Sequence, residues 1–464
     1  MIVFRSFGVL ICILLFSSTS QAQLEHFGLS GEQINALAII PNNSWPTPGQ
    51  LYAASDSNGI FMHDLSSPDS PWNYFGLHGK NIKSLCIQRW GVGPLEAHQL
   101  FAGVRPDKMR GDSTFLYQNR FLTDTTWNPA DSGLDANLIQ EVNAVYAVHY
   151  LSQSPPGPVF ISAAGKIYRS YEPGIEPWED IWPQLGPAII NVIKIYPPEE
   201  ISIADEIIWI GGETDIFGPY LAGSTDYGDN WDFYYPDLSG DNACDAIAIV
   251  ADYPDTIYAG MEGVVIKTID GGQNWILTSL QNTSYYFYDI VADPTDPEHV
   301  VAGGVSHTGQ TALFETHDGG DTWQDLQPPV VAAGVSGMVA DVVDNNFIVY
   351  IGTFGNGVYR YTIPLVAIND QRSPSVTRDF HLFQNFPNPF NPNTTIEFSL
   401  PHAEFVTLKI YNILGGGVAT LVSKTLTAGK HKYEWNAGSL TSGIYLYRIQ
   451  AGYYVQVKKM VLMR

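Results

Sequence analysis

Residues 34–364 carry short apolar runs in recurring pairs. The first members are INALAII (34–40), IKSLCIQ (82–88), VNAVYAV (142–148), INVIKIY (190–196), CDAIAIV (244–250), YYFYDIV (285–291) and VSGMVAD (335–341). The second members are QLYAAS (50–55), QLFAGV (99–104), VFISAA (159–164), IIWIGG (207–212), TIYAGM (256–261), HVVAGG (299–304) and IVYIGT (348–353). Each run has strand length, is rich in β-branched and aromatic residues, and ends in turn-forming residues. No stretch keeps a long helical period, so the pattern predicts an all-β chain. A tryptophan marks most units: Trp72, Trp127, Trp178, Trp231, Trp275 and Trp323, at steps of 55, 51, 53, 44 and 48. A period near 50 with about four strands per unit predicts a radial repeat.

The seventh unit, IVYIGTFGNGVYRYTIP (348–364), stops before a tryptophan strand. HFGLSGEQINALAI (26–39) parallels YFGLHGKNIKSLCI (74–87), which follows the first tryptophan. The segment near residue 26 is therefore expected to supply the outer strand of the last unit, leaving no open sheet edge.

Three units share the pattern [ST]-x-D-x-G-x-x-W: Ser224 to Trp231 with Asp226 and Gly228, Thr268 to Trp275 with Asp270 and Gly272, and Thr316 to Trp323 with Asp318 and Gly320. The Asp carboxylate suits hydrogen bonding to N–H groups of its own turn, and Gly suits a positive φ. The tryptophan offers a large apolar face for packing between repeats. The pattern resembles the Asp box of the β-propellers of sialidases, xyloglucanases, sortilin-type receptors and photosystem assembly factors. The resemblance implies a seven-bladed β-propeller over 23–364, with these residues in a structural role.

Residues 365–380 are polar and without period, and read as a linker. Beyond them, about 80 residues alternate apolar positions between turns, as in a small β-sandwich. This tail (381–464) resembles the type A C-terminal sorting domain of the bacterial type IX secretion system. The resemblance is carried by Pro387-Asn388-Pro389, Gly443-Ile444-Tyr445 and Lys458-Lys459-Met460-Val461-Leu462. Only Gly415-Gly416-Gly417 departs from the usual turn. The resemblance implies the type IX machinery as a partner and export across the outer membrane. It also implies removal of the tail and attachment of the body to the surface.

The first stretch agrees with that address. Arg5, an apolar run to Phe16 and Ser20-Gln21-Ala22 read as a signal peptide over 1–22. The run is short of the roughly 20 apolar residues of a membrane span, and no later segment qualifies. Cys86 and Cys244 sit in inner-strand runs and read as small buried apolar residues.

The net charge is −24. The tail from His381 has eight Lys/Arg against three Glu, a net of +5, and Arg5 adds +1, so residues 23–380 carry −30. Such a body is expected to bind neither nucleic acid nor anionic membrane.

Loops entering the first strands and joining the second to the third would build the ligand face. They offer Asp56, Arg105, Asp107, Tyr285, Tyr286, His307 and Phe354, and the carboxylates Glu213, Asp215, Asp245 and Glu262. Neighbouring carboxylates suit glycoside hydrolysis, and aromatics suit a sugar ring. A sialidase would need an arginine cluster, but Arg89, Arg105, Arg110, Arg120, Arg169 and Arg360 are dispersed and no Arg-Ile-Pro motif is present. Xyloglucanase-like enzymes pair two propellers across a cleft, and the sequence holds one. No His/Cys set has metal-ligand spacing and no phosphate loop precedes a helix, so neither metal nor cofactor is expected. The sequence favours an extracellular glycan- or protein-binding module. Its alternatives are a secreted glycoside hydrolase using the fourth and fifth units, and an assembly factor for a secreted partner.

Overall fold

The computed structural model describes residues 22–42, 49–67, 69–90, 97–120, 122, 124–148, 157–182, 188–196, 207–214, 218–236, 243–251, 253–294, 296–326, 334–365, 381–383, 385, 387–388, 390–400, 404–412, 416–427, 429–438, 440–451 and 454–463. Residues 1–21 of the expected signal peptide (1–22), residues 366–380 of the expected linker (365–380), Asp215 and Pro389 lie outside the described residues. The chain divides into two compact units, Met1–Leu365 and Val366–Arg464.

In the first unit, β1 (Gln23–Gly28) stands apart from its sequence neighbours. Next, β2 (Ile34–Ile40), β3 (Gln50–Ser55), β4 (Gly59–Asp64) and β5 (Asn73–Gly76) pair in order as one antiparallel sheet. β6 (Asn81–Trp90), β7 (Ala97–Arg105), β8 (Leu116–Asn119) and β9 (Asn128–Pro129) repeat the arrangement. So do β10 (Val142–Ala147), β11 (Val159–Ala163), β12 (Lys166–Ser170) and β13 (Glu179–Asp180). A fourth sheet holds β14 (Ala188–Tyr196), β15 (Ile207–Thr214), β16 (Gly218–Ser224) and β17 (Asp232–Tyr234).

The next two repeats share one six-stranded sheet. It holds β18 (Cys244–Val250), β19 (Tyr253–Thr268), β20 (Ile276–Asp293), β21 (Asp296–Ser306), β22 (Thr311–Thr316) and β23 (Gln324–Asp325). The merger follows from strand length. β20 serves as outer strand to one repeat through Ile276 and Leu277, then as inner strand to the next through Phe287–Ala292.

The last sheet joins β24 (Val335–Val343), β25 (Asn346–Thr353) and β26 (Val358–Pro364) to β1 in the order β1-β26-β25-β24. β1 runs antiparallel to β26, with Glu25 opposite Arg360. The echo between residues 26–39 and 74–87 has a physical counterpart. Phe27 and Phe75 offer main-chain carbonyls to Trp72 Nε1 at 3.0 Å and Trp127 Nε1 at 3.1 Å. Each tryptophan thus bonds the outer strand of the preceding sheet, and Trp178 does the same to the Ala130 carbonyl at 2.9 Å.

The inner strands lie against one another in a closed circuit, β2–β6–β10–β14–β18–β20–β24 and back to β2. Cores form where successive sheets meet face to face. Ala38, Tyr52 and Ala54 of one sheet bury against Ile82, Leu100 and Ala102 of the next. Ile34, Leu37 and Leu51 bury against Tyr350 and Val358 of the last. This interdigitation of inward residues is how alternating strands bury their apolar side.

The three Asp turns have one geometry. In Thr268–Trp275, Asp270 Oδ1 accepts from Thr268 Oγ1 at 2.8 Å and Asn274 N at 2.9 Å, while Thr268 Oγ1 accepts from Gly272 N at 3.0 Å. Asp226 and Asp318 each accept the residue-230 and residue-322 N–H at 2.8 Å. Gly272 has φ +89° and faces Trp209 of the preceding sheet so closely that a Cβ would lie 2.3 Å from its ring. Only glycine meets both demands. Burial pushes the Asp270 carboxyl up, but the Asn274 and Thr268 hydrogen bonds outweigh it and hold it below the usual carboxylate range.

The second unit has two antiparallel sheets around one core. β27 (His381–Leu382), β28 (Asn393–Leu400) and β31 (Gly429–Asn436) form the first, in that order. β30 (Gly417–Leu426), β29 (Glu404–Asn412), β32 (Gly443–Ala451) and β33 (Tyr454–Leu462) form the second. Ile396, Phe398, Leu408, Ile410, Tyr447 and Ile449 share the buried centre. The Pro387-Asn388 turn clamps the last strand. Asn388 Oδ1 accepts from Val461 N at 2.8 Å, and the Pro387 carbonyl accepts from Thr394 Oγ1 at 2.9 Å. Tyr445 donates to the Thr441 carbonyl at 2.9 Å, Gly443 opens β32 opposite Leu462, and Lys458 and Lys459 lie on β33, Lys459 exposed.

Candidate binding face at the channel mouth

The inner strands enclose a channel of about 350 Å³. Each of them carries a register break that skips one residue, between Ile34 and Ala36, Ile82 and Ser84, Val142 and Ala144, Ile190 and Val192, Cys244 and Ala246, Phe287 and Asp289, and Val335 and Gly337. The residues left unpaired are Asn35, Lys83, Asn143, Asn191, Asp245, Tyr288 and Ser336, and all of them line the channel. A bulge turns one side chain out of the alternating pattern. Repeated on every inner strand, it sets a polar ring where alternation alone would place a strand-interior side chain.

The ring is partly tied together. Asn35 Nδ2 donates to the Ile82 carbonyl of the next strand at 2.8 Å, and Asn191 Nδ2 donates to Asp245 Oδ1 at 2.6 Å. Ser336 Oγ is buried without a hydrogen-bond partner. Deeper in, Lys194 Nζ reaches across from β14 to within 3.9 Å of Asp289 Oδ1 on β20. Burial pushes the Asp289 carboxyl up, opposed by Lys194 and by the N–H groups of Met338 and Ile290.

Burial raises the Asp245 carboxyl to about 6; the Asn191 amide opposes the rise and the Glu213 charge adds to it. The folded protein therefore prefers this group protonated. Its stability contribution is full below the unfolded value near 4 and is lost as pH rises through about 6. Asp245→Asn is expected to stabilise the protein by about 1–3 kcal/mol at pH 8, each pKa unit being worth about 1.4 kcal/mol. At pH 4 the two proteins are expected to melt alike. Parallel thermal melts at the two pH values check this, and a substitution that destabilises at pH 8 would contradict it.

Beside the ring, Glu262, Tyr286 and His307 form one cluster. His307 Nε2 lies 3.3 Å from Glu262 Oε1, and the His307 and Tyr286 rings are 4.7 Å apart. Tyr286 stacks on Tyr288 at 6.4 Å, and Tyr288 meets Phe354 edge-on at 5.6 Å. Phe354 is 40% exposed. The Glu262 charge raises the Tyr286 hydroxyl, followed by burial and their hydrogen bond.

Of the expected site residues, Asp245, Glu213, Glu262, Tyr286, His307 and Phe354 thus gather around one mouth. Tyr285 does not. It lies on the opposite side of β20 and packs on Phe314 at 5.3 Å, because strand neighbours point to opposite faces. Tyr288, two residues beyond Tyr286, takes the place expected for it. Arg105 and Asp107 border a neighbouring hollow with Asp56, Lys80 and Asp112, and Asp56 links it to the ring by accepting from Asn35 Nδ2 at 3.3 Å. There Arg105 Nε pairs with Glu141 at 2.6 Å, and Asp107 caps a short 3₁₀ turn by accepting from Met109 N at 3.1 Å. Arg169 and Arg360 are likewise engaged, with Glu179 at 2.8 Å and Glu25 at 2.7 Å, in separate places. Arg105, Arg169 and Arg360 therefore do not share a site.

The Asp turns occupy the other end of the strands. Gly271 and Gly319 donate to the Asp255 and Glu298 carbonyls at 3.0 and 2.9 Å. Those residues open the second strands, whereas Glu262 lies two-thirds along β19 and His307 follows the end of β21. Cys86 and Cys244 are buried and free, and burial raises both thiols, Cys86 to about 12.

Comparison with known proteins fits these features. Residues 384–463 match the family described as the secretion system C-terminal sorting domain, so the chain carries an address for the cell surface or beyond. None of the curated proteins compared matches the chain. Among solved structures, an ancestral GH74 enzyme is 16% identical over 76% of this chain and 52% of its own, with a TM-score of 0.53. The WD40 repeats of RRP9 are 10% identical over 74% of this chain and 99% of their own, with a TM-score of 0.50. PorZ, an essential bacterial surface component of the type IX secretion system of Porphyromonas gingivalis, is 14% identical with a TM-score of 0.45, and the chain spans 58% of its length. The first two likenesses show a propeller-like all-β fold. No helix among the described residues is long and apolar enough to cross a membrane.

Proposed function

We propose that residues 23–364 form a seven-bladed, Asp-box β-propeller closed by β1, and that residues 381–464 form a β-sandwich that serves as a type A sorting domain. On this reading, the type IX machinery carries the propeller through the periplasm to the outer-membrane surface. There it binds a glycan or protein, without catalysis, through the mouth described above. The closed circuit of inner strands supports the ring, and the match over 384–463 supports the route.

The observation that carries the binding reading is the state of the carboxylates. Glu262 is engaged by His307 and Tyr286, and Asp245 by Asn191, so each is hydrogen-bonded to a non-acidic neighbour. Around them the Tyr286, Tyr288 and Phe354 rings form a stepped aromatic surface. Aromatic faces beside a few fixed polar groups suit a sugar ring. The hydrolase alternative draws on one feature, the raised Asp245 acid near the Glu213 charge, the environment of a general acid.

A glycan array run with the purified protein beside a polysaccharide hydrolysis assay separates these. Binding without turnover, weakened about tenfold or more by Tyr286→Ala, is the expected result; loss of one aromatic contact is worth about 1–2 kcal/mol. Turnover abolished by Asp245→Asn would establish the hydrolase. Neither binding nor turnover on any glycan would move the ligand class to protein.

A further inference from the structure

A second polar cluster lies at the Asp-turn end, away from the channel mouth. β21 and β22 pair with Val301 opposite Glu315 and Val300 opposite Thr316. Extending that register by one step sets His299 across from His317, and alternation puts Glu315 and His317 on the face of His299. Glu315 Oε1 lies 3.0 Å from His299 Nε2 and 3.2 Å from His317 Nε2. One ligand atom from each of the three residues falls within 4.8 Å of the others.

The remaining polar atoms of the two buried members are already committed. His299 Nδ1 meets Asp293 Oδ2 at 3.3 Å, and Glu315 Oε2 accepts from Tyr361 OH of β26 at 2.8 Å. His299 and Glu315 are 3% and 4% exposed, whereas His317 is 57% exposed. Two nitrogens and one oxygen therefore lie together over a buried base; the His317 ring, stacked on His299 with centroids 4.3 Å apart and planes 21° apart, is the exposed one that turns to bring its nitrogen onto an ion.

We propose that His299 Nε2, Glu315 Oε1 and His317 Nε2 bind a divalent transition-metal ion of the zinc class, with a fourth position left to water. Imidazole and carboxylate suit zinc at about 2.0–2.2 Å. Tetrahedral angles then place donors roughly 3.3 Å apart, close to the spacings present. Asp293 on the far nitrogen of His299 and Tyr361 on the far oxygen of Glu315 are the outer partners that orient such ligands. The pattern was hidden in the sequence because Glu315-x-His317 completes a ligand set only with a residue on the neighbouring strand.

The test uses the purified full chain, stripped with a chelator and titrated with Zn²⁺ and, separately, Ca²⁺ by calorimetry, with Co²⁺ absorption as a geometric probe. Saturable Zn²⁺ uptake, a tetrahedral Co²⁺ spectrum and a zinc-dependent rise in melting temperature are expected, with no comparable response to Ca²⁺. His317→Ala removes an exposed ligand, so its metal-free melting temperature should match the parent while Zn²⁺ affinity falls at least 100-fold. Tyr361→Phe should weaken binding about 10–100-fold without removing a ligand. Absence of Zn²⁺ binding in the parent, equal binding by His317→Ala, or an equal response to Ca²⁺ would overturn the proposal and leave His299 as a cation bridging two carboxylates.

Discussion

Deletion of residues 23–32 is expected to abolish the single cooperative melt of the first unit. β1 gives β26 its only hydrogen-bonded neighbour on that side, and without it a long strand edge faces solvent. The losses extend beyond the ladder. Phe27 sits among Tyr350 at 5.4 Å, His63 at 4.7 Å and Trp72 at 6.2 Å, with the Arg360 guanidinium 4.8 Å above its ring. Removing such a side chain costs about 2–3 kcal/mol in transfer energy alone. The orphaned Trp72 N–H adds about 1–3 kcal/mol, and Arg360 loses its Glu25 partner. Together these approach the roughly 5–15 kcal/mol that holds a domain folded. Scanning calorimetry of the deletion and parent proteins decides it. An unchanged melting temperature would show that β1 decorates the last sheet and does not complete it.

Removal of residues 381–464 is expected to leave the first unit folded and to abolish its export. The two units have separate cores, and the match to a secretion sorting domain is confined to 384–463. A unit with its own core folds independently of a neighbour beyond a polar linker. In a host with the type IX system the truncated protein should accumulate in the periplasm, resistant to proteolysis. The tail fused to an unrelated periplasmic reporter should carry that reporter to the surface. A truncated protein that still reaches the surface, or a reporter that stays behind, would contradict the address. The Asn388–Val461 clamp makes Asn388→Ala a finer probe of the same signal.

Strand identity was legible because alternation and β-branching are local properties. INALAII and QLYAAS coincide with β2 and β3 residue for residue. The partner of β1 was legible from an internal echo, since His26–Ile39 and Tyr74–Ile87 perform the same task in neighbouring sheets. The fusion of two repeats into one sheet was not, because nothing local distinguishes a strand that stops at a turn from one that runs on, as β19 and β20 do. The site was half legible. Glu262, Tyr286 and His307 were expected in loops and lie together, the first two inside β19 and β20 and the third just past β21, but a bulge moves a residue from one face to the other. Asn35, Asn191 and Tyr288 therefore escaped, and Tyr285 was placed on the wrong side. In hindsight the signal is a polar residue between an apolar and a small or acidic one, as in Ile34-Asn35-Ala36 and Phe287-Tyr288-Asp289.

The bond between Glu25 and Arg360 spans 335 positions of chain. A ribosome delivers β1 first among the strands and must make every intervening strand before β26 exists to receive it. Throughout that interval β1 is an unpaired, aggregation-prone strand, and its closure entropy is charged against the latest contacts to form. The address follows β26 almost at once, so a chain that displays its sorting tail has already synthesised everything needed to shut the sheet.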